Sequence, residues 1–205
     1  MGITVVTYPK GLLGENTYLL RDNETGKCAV IDPGYIGDDV MSEIGDRENL
    51  DYVLLTHAHF DHFYCAADYI KQFPNMKFVA PEKDKLLMFK DWSQDPTFRM
   101  SPKCPEADIY ISEGDTLALG NSELQIIETP GHTAGGVCIK CDDVIFTGDT
   151  LFRLSVGNTS FETGSWEELV KSVTRLYELD DDITVYPGHG DITSIGYEKR
   201  ANPFV

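Results

Sequence analysis

The sequence predicts an α/β (α+β) protein in which two β-sheets pack together beneath outer helices. Strand-like runs group in both halves of the 205-residue chain, and helical patterns lie between and after them. No low-complexity stretch or linker divides the chain, so residues 1–205 are expected to form a single domain. A hydrophobic fraction of 41% is enough for a sizeable core.

The first half starts with β-rich runs and then alternates strands with helices. Short runs bounded by turn residues predict strands over 3–7, 17–21, 27–31, 52–55 and 77–80. Helical patterns predict helices over 38–44, 61–72 and 81–90. The last of these starts with Pro81, and proline is favoured in the first turn of a helix.

The second half repeats this rhythm, with strands predicted over 116–119, 123–128, 136–140, 144–147 and 183–186. Its clearest helix follows the capping box Ser165-Trp166-Glu167-Glu168. Apolar residues then recur at helical spacing: Trp166, Leu169, Val170, Val173, Leu176 and Tyr177. Two long connections, 91–108 and 151–164, stand out. The first is either a binding loop or a connector draped over the core, and the second leads to this helix.

Charge and cysteine content narrow the function classes. A net charge of -17 argues against nucleic acid and an anionic membrane as partners, and favours a solvated acidic surface. We find no membrane-spanning apolar run and no signal peptide. Five cysteines without framework spacing indicate free thiols in a reducing compartment, so the chain is expected to be cytoplasmic. Cys138-x-x-Cys141 is a weak candidate for a metal or redox pair, because it falls in an expected hairpin.

All five histidines lie where a metal ion would need them. His57, His59 and His62 fall within Thr56-His57-Ala58-His59-Phe60-Asp61-His62, while His132 and His189 each follow Pro-Gly. Neutral imidazole is the commonest metal ligand in proteins. A chain that places every histidine in one cluster and two Pro-Gly turns is expected to build one site.

The spacing allows these side chains to meet. His57 and His59 are two residues apart, so they share a face of an extended segment. Asp61 and His62 fall where the next helix begins and can point to a neighbouring position. Asp149, in Thr147-Gly148-Asp149, ends a predicted strand and has two carboxylate oxygens with which to bridge. Three histidines and an aspartate within six residues are hard to explain by packing, because His and Asp resist burial unless they are satisfied.

Together these motifs resemble the metallo-β-lactamase-fold hydrolases. The pattern runs, in order, through His57-x-His59-x-Asp61-His62, Pro130-Gly131-His132, Thr147-Gly148-Asp149 and Pro187-Gly188-His189. The resemblance implies an αββα sandwich with a two-metal site on one edge. It implies that His57, His59 and His132 hold one cation, that Asp61, His62 and His189 hold a second, and that Asp149 bridges them. Asp32 matches an acidic position behind the metals, where it would orient ligands; a plain Asp-Pro-Gly turn is its alternative.

Within that family the sequence is most similar to the short glyoxalase II-like proteins, on Gly148-Asp149-Thr150-Leu151-Phe152 and the ending 195–204. Two segments depart from that pattern. Gly157-Asn158-Thr159-Ser160 replaces the usual Gly-Arg-Thr-Asp, and Phe63-Tyr64-Cys65 replaces small residues. Basic residues that could hold an anionic thiol are few: Arg153, Lys199 and Arg200, each of which is better explained as a surface charge.

The resemblance implies a hydrolase in which two cations share a water and lower its pKa, with Asp61 and Asp149 catalytic. A thioester such as S-lactoylglutathione suits this site, because a thiolate leaves without protonation. The nitrogen and oxygen ligands admit several metals: zinc is the first choice, and iron or manganese are alternatives. Cys65 is interpreted as a helix residue and not as a nucleophile.

Other activities share this fold. An iron-dependent persulfide dioxygenase is the main alternative; a lactonase or a metal-dependent nuclease is a weaker one, the nuclease because the chain is acidic. The expected partner is a small-molecule substrate, with neither nucleic acid nor membrane, and no pattern in the sequence specifies an oligomeric state. Fold alone does not decide among these activities.

Overall fold

Two six-stranded sheets pack face to face in the computed structural model, which describes residues 2–91 and 103–205. In the first sheet the strands lie side by side in chain order: β1 (Ile3–Tyr8), β2 (Thr17–Asp22), β3 (Cys28–Ile31), β4 (Leu50–Leu54), β5 (Lys77–Pro81) and β6 (Ile109–Ile111). The pairs β1–β2 and β2–β3 are antiparallel, and the remaining pairs are parallel. The sheet is therefore mixed.

The second sheet comes from the second half of the chain. Its strands are β7 (Thr116–Leu119), β8 (Ser122–Glu128), β9 (Val137–Cys141), β10 (Val144–Gly148), β13 (Thr184–Pro187) and β14 (Thr193–Ser194). They lie in the order β14-β13-β10-β9-β8-β7, with β10–β13 parallel and the others antiparallel. A separate small hairpin joins β11 (Leu151–Phe152) to β12 (Ser155–Val156).

The helices are α1 (Asp38–Ile44), α2 (Phe60–Phe63), α3 (Ala66–Gln72), α4 (Lys85–Met88), α5 (Trp166–Leu176) and α6 (Ile195–Ala201). Short 3-10 turns cover Arg47–Asn49 and Glu82–Asp84. No helix in the described part of the chain has the length and apolarity to cross a membrane.

Alternation along the strands divides the core into layers. On β2, Tyr18 and Leu20 face the second sheet, whereas Leu19 faces the helices on the outside. Successive side chains of a strand point to opposite faces, which explains the division. Apolar residues of α1 and α3, such as Val40 and Tyr69, cover the outer face of the first sheet.

Helix α5 covers the outer face of the second sheet. Leu169, Val173 and Leu176 are buried against Ile145 and its neighbours, while Trp166 stays 48% exposed although its spacing predicted the buried face. The hydroxyl of Ser165 accepts a hydrogen bond from the backbone of Glu168, as the capping box predicted. The predicted fold, an αββα sandwich of two mixed sheets, is thus confirmed.

Some predicted elements differ in their bounds. The predicted helix over 61–72 is two helices, α2 and α3, because the backbone N–H of Cys65 donates to Pro33 instead of continuing the helix. The predicted helix over 81–90 is regular only in α4, after a 3-10 turn that directs Asp84 inward. Strand β6 and helix α6 were not predicted, and both are short. The predicted connection 91–108 lies largely outside the described residues.

Cys138 and Cys141 occupy opposite faces of β9. The first packs under α5, and the second lies between the sheets. They therefore do not form a metal or redox pair.

The strands place five loops at one edge of the sandwich. Parallel neighbours β3 and β4 end together, as do β10 and β13, and β8 runs in the same direction as β10. The segments that follow these five strands hold the predicted metal ligands and Asp32: Asp32, His57, His59, Asp61, His62, His132, Asp149 and His189.

Candidate metal centre

Three histidines converge between the two sheets, and we call them the imidazole half: His57, His59 and His132. Nδ1 of His59 lies 2.8 Å from Nε2 of His132. The centroid of the His57 ring lies 4.9 Å from that of His59 and 4.8 Å from that of His132. One nitrogen of each ring lies within 4.8 Å of the others, so the three could hold one metal ion.

The second group, which we call the carboxylate half, consists of Asp61, His62 and His189. Oδ2 of Asp61 lies 3.6 Å from Nε2 of His62 and 3.5 Å from Nε2 of His189. Asp61 and His62 lie in α2, whereas His189 follows β13, so this group also joins the two sheets. Its ligand atoms form a second group that could hold an ion.

Asp149 stands between the two halves. Its Oδ2 lies 3.3 Å from Nε2 of His132 and 3.7 Å from Nε2 of His189. Its Oδ1 lies 3.4 Å from Nε2 of His62. One carboxylate therefore reaches ligands on both sides, as a bridging residue must.

The donor atoms themselves test whether metal ions fit here. Nε2 of His57, Nε2 of His62 and Oδ1 of Asp149 are buried and have no hydrogen-bond partner. Buried polar atoms without a partner are rare and costly in folded proteins. All three are atoms that bind metals when they carry a lone pair, and all three point into the space between the halves. The cluster is therefore capable of binding divalent metal ions.

Asp32 lies behind this cluster, where it contacts His62 directly and reaches His57 through Thr56. It accepts hydrogen bonds from the backbone N–H and the hydroxyl of Thr56, each at 2.7 Å, and Nδ1 of His62 lies 2.9 Å from its Oδ2. The Thr56 hydroxyl lies 3.2 Å from Nδ1 of His57. Since this hydroxyl donates to Asp32, it accepts from His57, which leaves the lone pair of His57 on Nε2.

The backbone of Asp32 is strained, with a φ of 51°. A non-glycine residue in this region costs free energy and persists only where its surroundings hold it there. Its contacts with Thr56 and His62 are those surroundings, so Asp32 has a more specific place than a plain turn residue.

His132 has its own support. Its Nδ1 donates to the backbone oxygen of Asn158 at 2.7 Å, so Nε2 carries the lone pair that faces the cluster. Asn158 belongs to the segment 157–160 that departs from the glyoxalase II-like pattern. Because a backbone oxygen makes this contact, the departure leaves the support of His132 intact.

Electrostatics differ between the halves. Burial lowers the pKa of His57 well below its usual range and that of His59 to about 3, and neighbouring imidazoles add to the effect. Burial also lowers the pKa of His132. These rings are therefore neutral at physiological pH, which is the form that binds metal.

In the carboxylate half, nearby charge outweighs burial. Burial would lower the pKa of His62, but Asp61, Asp32 and Asp149 together raise it to about 10. His189 also has a raised pKa, because Asp61 and Asp149 overcome the effect of burial. This half of the site thus attracts positive charge, whether a proton or a metal ion.

Glycines before two of the candidate ligands permit their tight turns. Gly131 has a φ of 145°, and a side chain there would meet the Leu169 backbone at 2.4 Å. Gly148 has a φ of 47°, and its Cβ would lie 2.2 Å from the Thr56 hydroxyl. Both positions need glycine for conformation and for space.

Sequence reasoning missed Asp84. Its carboxylate is 1% exposed and accepts hydrogen bonds from the Ala58 backbone at 2.9 Å, the Thr133 hydroxyl at 2.9 Å and the Gly135 backbone at 2.7 Å. Burial raises its pKa against the opposing effect of these donors. Asp84 therefore ties the segment that carries His57 and His59 to the one that carries His132. Only its place after a predicted strand hinted at this, since its partners lie 26 to 51 residues away.

The other candidates contribute little to the metal centre. Cys65 donates to the Gly34 backbone, and burial raises the pKa of its thiol to about 11, so it is not a reactive thiolate. Arg153 pairs with Asp191, while Lys199 and Arg200 both pair with Asp181.

A cavity of about 320 Å³ opens beside both halves of the site. Its described lining contains His59, Asp61, His132, Asp149 and His189, so the candidate ligands form its inner wall. The rest of that lining is mostly apolar: Leu13, Phe60, Leu87, Lys90, Phe152, Asn158, Phe161, Glu162 and Thr163. A small molecule in this cavity would touch the cluster directly.

Comparison with known proteins agrees with the fold. The sequence model of the metallo-beta-lactamase superfamily matches residues 11–189. The chain is 35% identical to the hydroxyacylglutathione hydrolase GloC of Haemophilus influenzae, over 100% of this chain and 98% of that protein.

Solved structures agree as well. The B3 metallo-beta-lactamase BLEG-1 superposes with a TM-score of 0.88 at 28% identity, covering 98% of this chain and 99% of the other. TTHA1623 in a di-iron-bound form gives a TM-score of 0.84 at 31% identity, covering 98% of this chain and 100% of the other.

Proposed function

This chain belongs to the metallo-β-lactamase superfamily, and from that premise we propose that it is a dinuclear metallo-hydrolase acting on acyl thioesters. The observation that carries the proposal is the pair of three-ligand groups joined by Asp149 beside an open cavity. One cation would lie among His57, His59 and His132. The other would lie among Asp61, His62 and His189.

When bound, two divalent cations lower the pKa of a shared water far enough to supply hydroxide near neutral pH, and polarise the substrate carbonyl. The chain's own residues hold and orient the reacting groups. Asp61 and Asp149 reach the cavity surface, where each can accept a hydrogen bond from the attacking water. Asp32, Thr56 and the Asn158 backbone keep protons on Nδ1 of His62, His57 and His132, so that their Nε2 lone pairs face inward.

A thioester suits the lining of the cavity. Its described residues include no serine or cysteine that could act as a nucleophile, so a water is the expected attacking group. A thiolate leaves without protonation, so no strong general acid is needed beside it. The hydroxyacylglutathione hydrolase among the relatives supports this class, with S-lactoylglutathione as one member.

Zinc is the metal we propose first. Imidazole and carboxylate ligands also suit iron and manganese, and a di-iron form exists among the similar structures. We propose that the protein acts in the reducing cytoplasm on a small molecule, without nucleic acid or membrane partners. Its five unpaired thiols and its charge of -17 support that setting.

The test combines metal analysis with an assay panel. We expect about two metal ions per purified chain, and hydrolysis of S-lactoylglutathione or other acyl thioesters that His57→Ala abolishes. Fewer than one tightly bound ion, or unchanged activity in His57→Ala, would remove the proposal. Oxygen consumption with glutathione persulfide by an iron-loaded sample, without thioester hydrolysis, would instead identify a dioxygenase.

A further inference from the structure

Apart from the candidate ligands, the wall of the cavity is mostly apolar. Leu13 and Phe161 form its rim, and Leu87 and Phe152 line it further. The ring of Phe161 lies 5.0 Å from that of His59 and 5.7 Å from that of His132, while Phe152 lies 6.1 Å from His189, all between centroids. Apolar walls thus border both halves of the site.

The Leu13 side of the rim is held rigidly. Glu15 is fully buried, and its carboxylate accepts hydrogen bonds from the backbones of Leu12 and Leu13, each at 2.9 Å. Glu15 also pairs through its backbone with His189. Yet Leu12 and Leu13 remain 60% and 51% exposed. Glu15 therefore fixes this turn from within, while Leu13 stays available to the cavity.

Hydrogen bonds also fix the Phe161 side of the rim. The side chain of Asn158 accepts hydrogen bonds from the backbone of Ser160 at 3.0 Å and from its hydroxyl at 2.9 Å. The backbone of Gly164 donates to that of Phe161 at 2.9 Å. These turns, together with the contact between Asn158 and His132, fix the aromatic ring beside the imidazole half.

The charged side chains of the described cavity lining already have partners of opposite charge or belong to the metal centre. Lys90 is the one lysine or arginine in the described lining, and it pairs with Glu162 at 2.8 Å. Asp61 and Asp149 belong to the metal centre. The described rim therefore offers no unpaired cation for the carboxylates of a glutathione, whereas it offers apolar surface in a cavity of the size that takes small ligands.

We propose that this cavity binds the acyl group of the substrate, and that the preferred substrates are thioesters with an apolar acyl chain, selected by Phe161 and Leu13. The inference rests on the proposed thioester hydrolysis and narrows its substrate class. A polar carrier thiol would extend outward to solvent, because its charges find no partners on the described rim. Water released from the apolar walls provides the selectivity.

The experiment measures kcat/KM for thioesters of one small neutral thiol, N-acetylcysteamine, with straight acyl chains of increasing length from acetyl to octanoyl. We expect kcat/KM to rise about fourfold per added methylene until the cavity is filled. Octanoyl thioesters should exceed S-lactoylglutathione. A parallel series keeps the acetyl group and lengthens the thiol, and its dependence should be flat.

Two substitutions test whether the rim residues cause the preference for long acyl chains. Phe161→Ala and Leu13→Ala should each reduce the octanoyl-to-acetyl ratio about tenfold, since large apolar contacts are lost. Phe204→Ala is the matched control: Phe204 is 51% exposed, close to the 47% of Phe161, but it does not line the cavity. Its ratio should match that of the unchanged protein.

Two results would overturn the inference while leaving thioester hydrolysis in place: a flat dependence on acyl length, or a dependence only on thiol length. Failure of every thioester to react would instead refute the proposed function. In that case the inference would be tested by binding alone. Calorimetry would measure the affinity for unreactive thioethers, in which a methylene replaces the carbonyl of the thioester. Affinity that grows with the length of that alkyl arm and falls in Phe161→Ala supports an apolar-chain site, and affinity independent of length contradicts it.

Discussion

The two halves of the metal centre would each hold a cation, but they do so by opposite means. In the imidazole half, burial keeps three rings neutral, so that a cation would be held by lone pairs alone. In the carboxylate half, Asp61, Asp32 and Asp149 outweigh burial and raise the pKa of His62 to about 10. The first half offers a shaped set of neutral ligands, whereas the second offers negative charge.

The two halves also differ in how exposed their ligands are and in which residues hold them. His57 and His132 are nearly inaccessible, and Asp84 joins the segments that carry them. The side chain of His189 is 29% exposed at the cavity. The difference teaches that burial and packing dominate in the imidazole half, whereas negative charge dominates in the carboxylate half.

The largest expected effect separates the halves directly. His57→Ala should empty the imidazole half, and His189→Ala the carboxylate half, so each should reduce bound metal from about two ions to about one. Hydrolysis should fall at least about a thousandfold in both, since metal catalysis supplies several kcal/mol and each 1.36 kcal/mol is tenfold. Metal analysis by mass spectrometry and steady-state kinetics provide the check. Two ions retained in either variant would show that the ligand sets are drawn wrongly.

Asp32→Asn should come next, because this carboxylate contacts His62 directly and supports His57 through Thr56. An amide offers one acceptor oxygen where three donors now point, from Thr56 and His62. Loss of such a supporting residue lowers metal affinity or activity about 10- to 100-fold. Titration with zinc in the presence of a competing chelator measures it. If only one of the two sites weakened, the link between the halves through Asp32 would be incorrect.

Asp84→Asn tests the imidazole half alone and should lower its metal affinity about tenfold. The affinity of the carboxylate half should stay the same. Asp22→Asn is the control: Asp22 is also a buried carboxylate, 2% exposed, that accepts hydrogen bonds from Thr25 and Ser122 at the other end of β2. Both variants should lose stability in thermal unfolding, but only Asp84→Asn should lose metal. Equal metal loss in both would reduce Asp84 to a folding residue.

The smallest expected effect is on the pH dependence of stability, measured in protein from which a chelator has removed the metal. The contributions of His59 and His62 to this dependence should have opposite signs. The pKa of His59 is lowered to about 3 on folding, so its contribution to stability is present above about pH 6.5 and declines as pH falls towards 3. The pKa of His62 is raised, so its contribution is present below about pH 6.5 and declines as pH rises towards 10. We would measure the free energy of unfolding in urea against pH for the unchanged protein, His59→Gln and His62→Gln. The difference between the unchanged protein and each variant should show these opposite slopes. Parallel slopes would contradict the electrostatic contrast between the halves.

Local patterns explain why much of this site was predictable. The ligands follow strand ends and glycine turns, so residues 57–62, 132, 149 and 189 could be recognised without knowing the fold. The capping box of α5 was equally local. Asp84 could not be recognised in this way, because its partners come from distant segments and no spacing links them.

The rim of the cavity was also beyond sequence reasoning. Glu15 reads as a loop acid, yet the fold buries it and uses it to fix Leu13 beside the site. Similarly, the loop 151–164 gave no sign that it contains a hairpin or that Phe161 contacts His59. Tertiary contacts decide these features, so they emerge only when the two sheets are assembled.

The most direct test of the two-cation account is a titration of chelated protein with zinc, following bound metal and thioester hydrolysis together. We predict that binding saturates at about two ions per chain and that full activity requires the second ion. Saturation at a single ion, with full activity already reached, would contradict it.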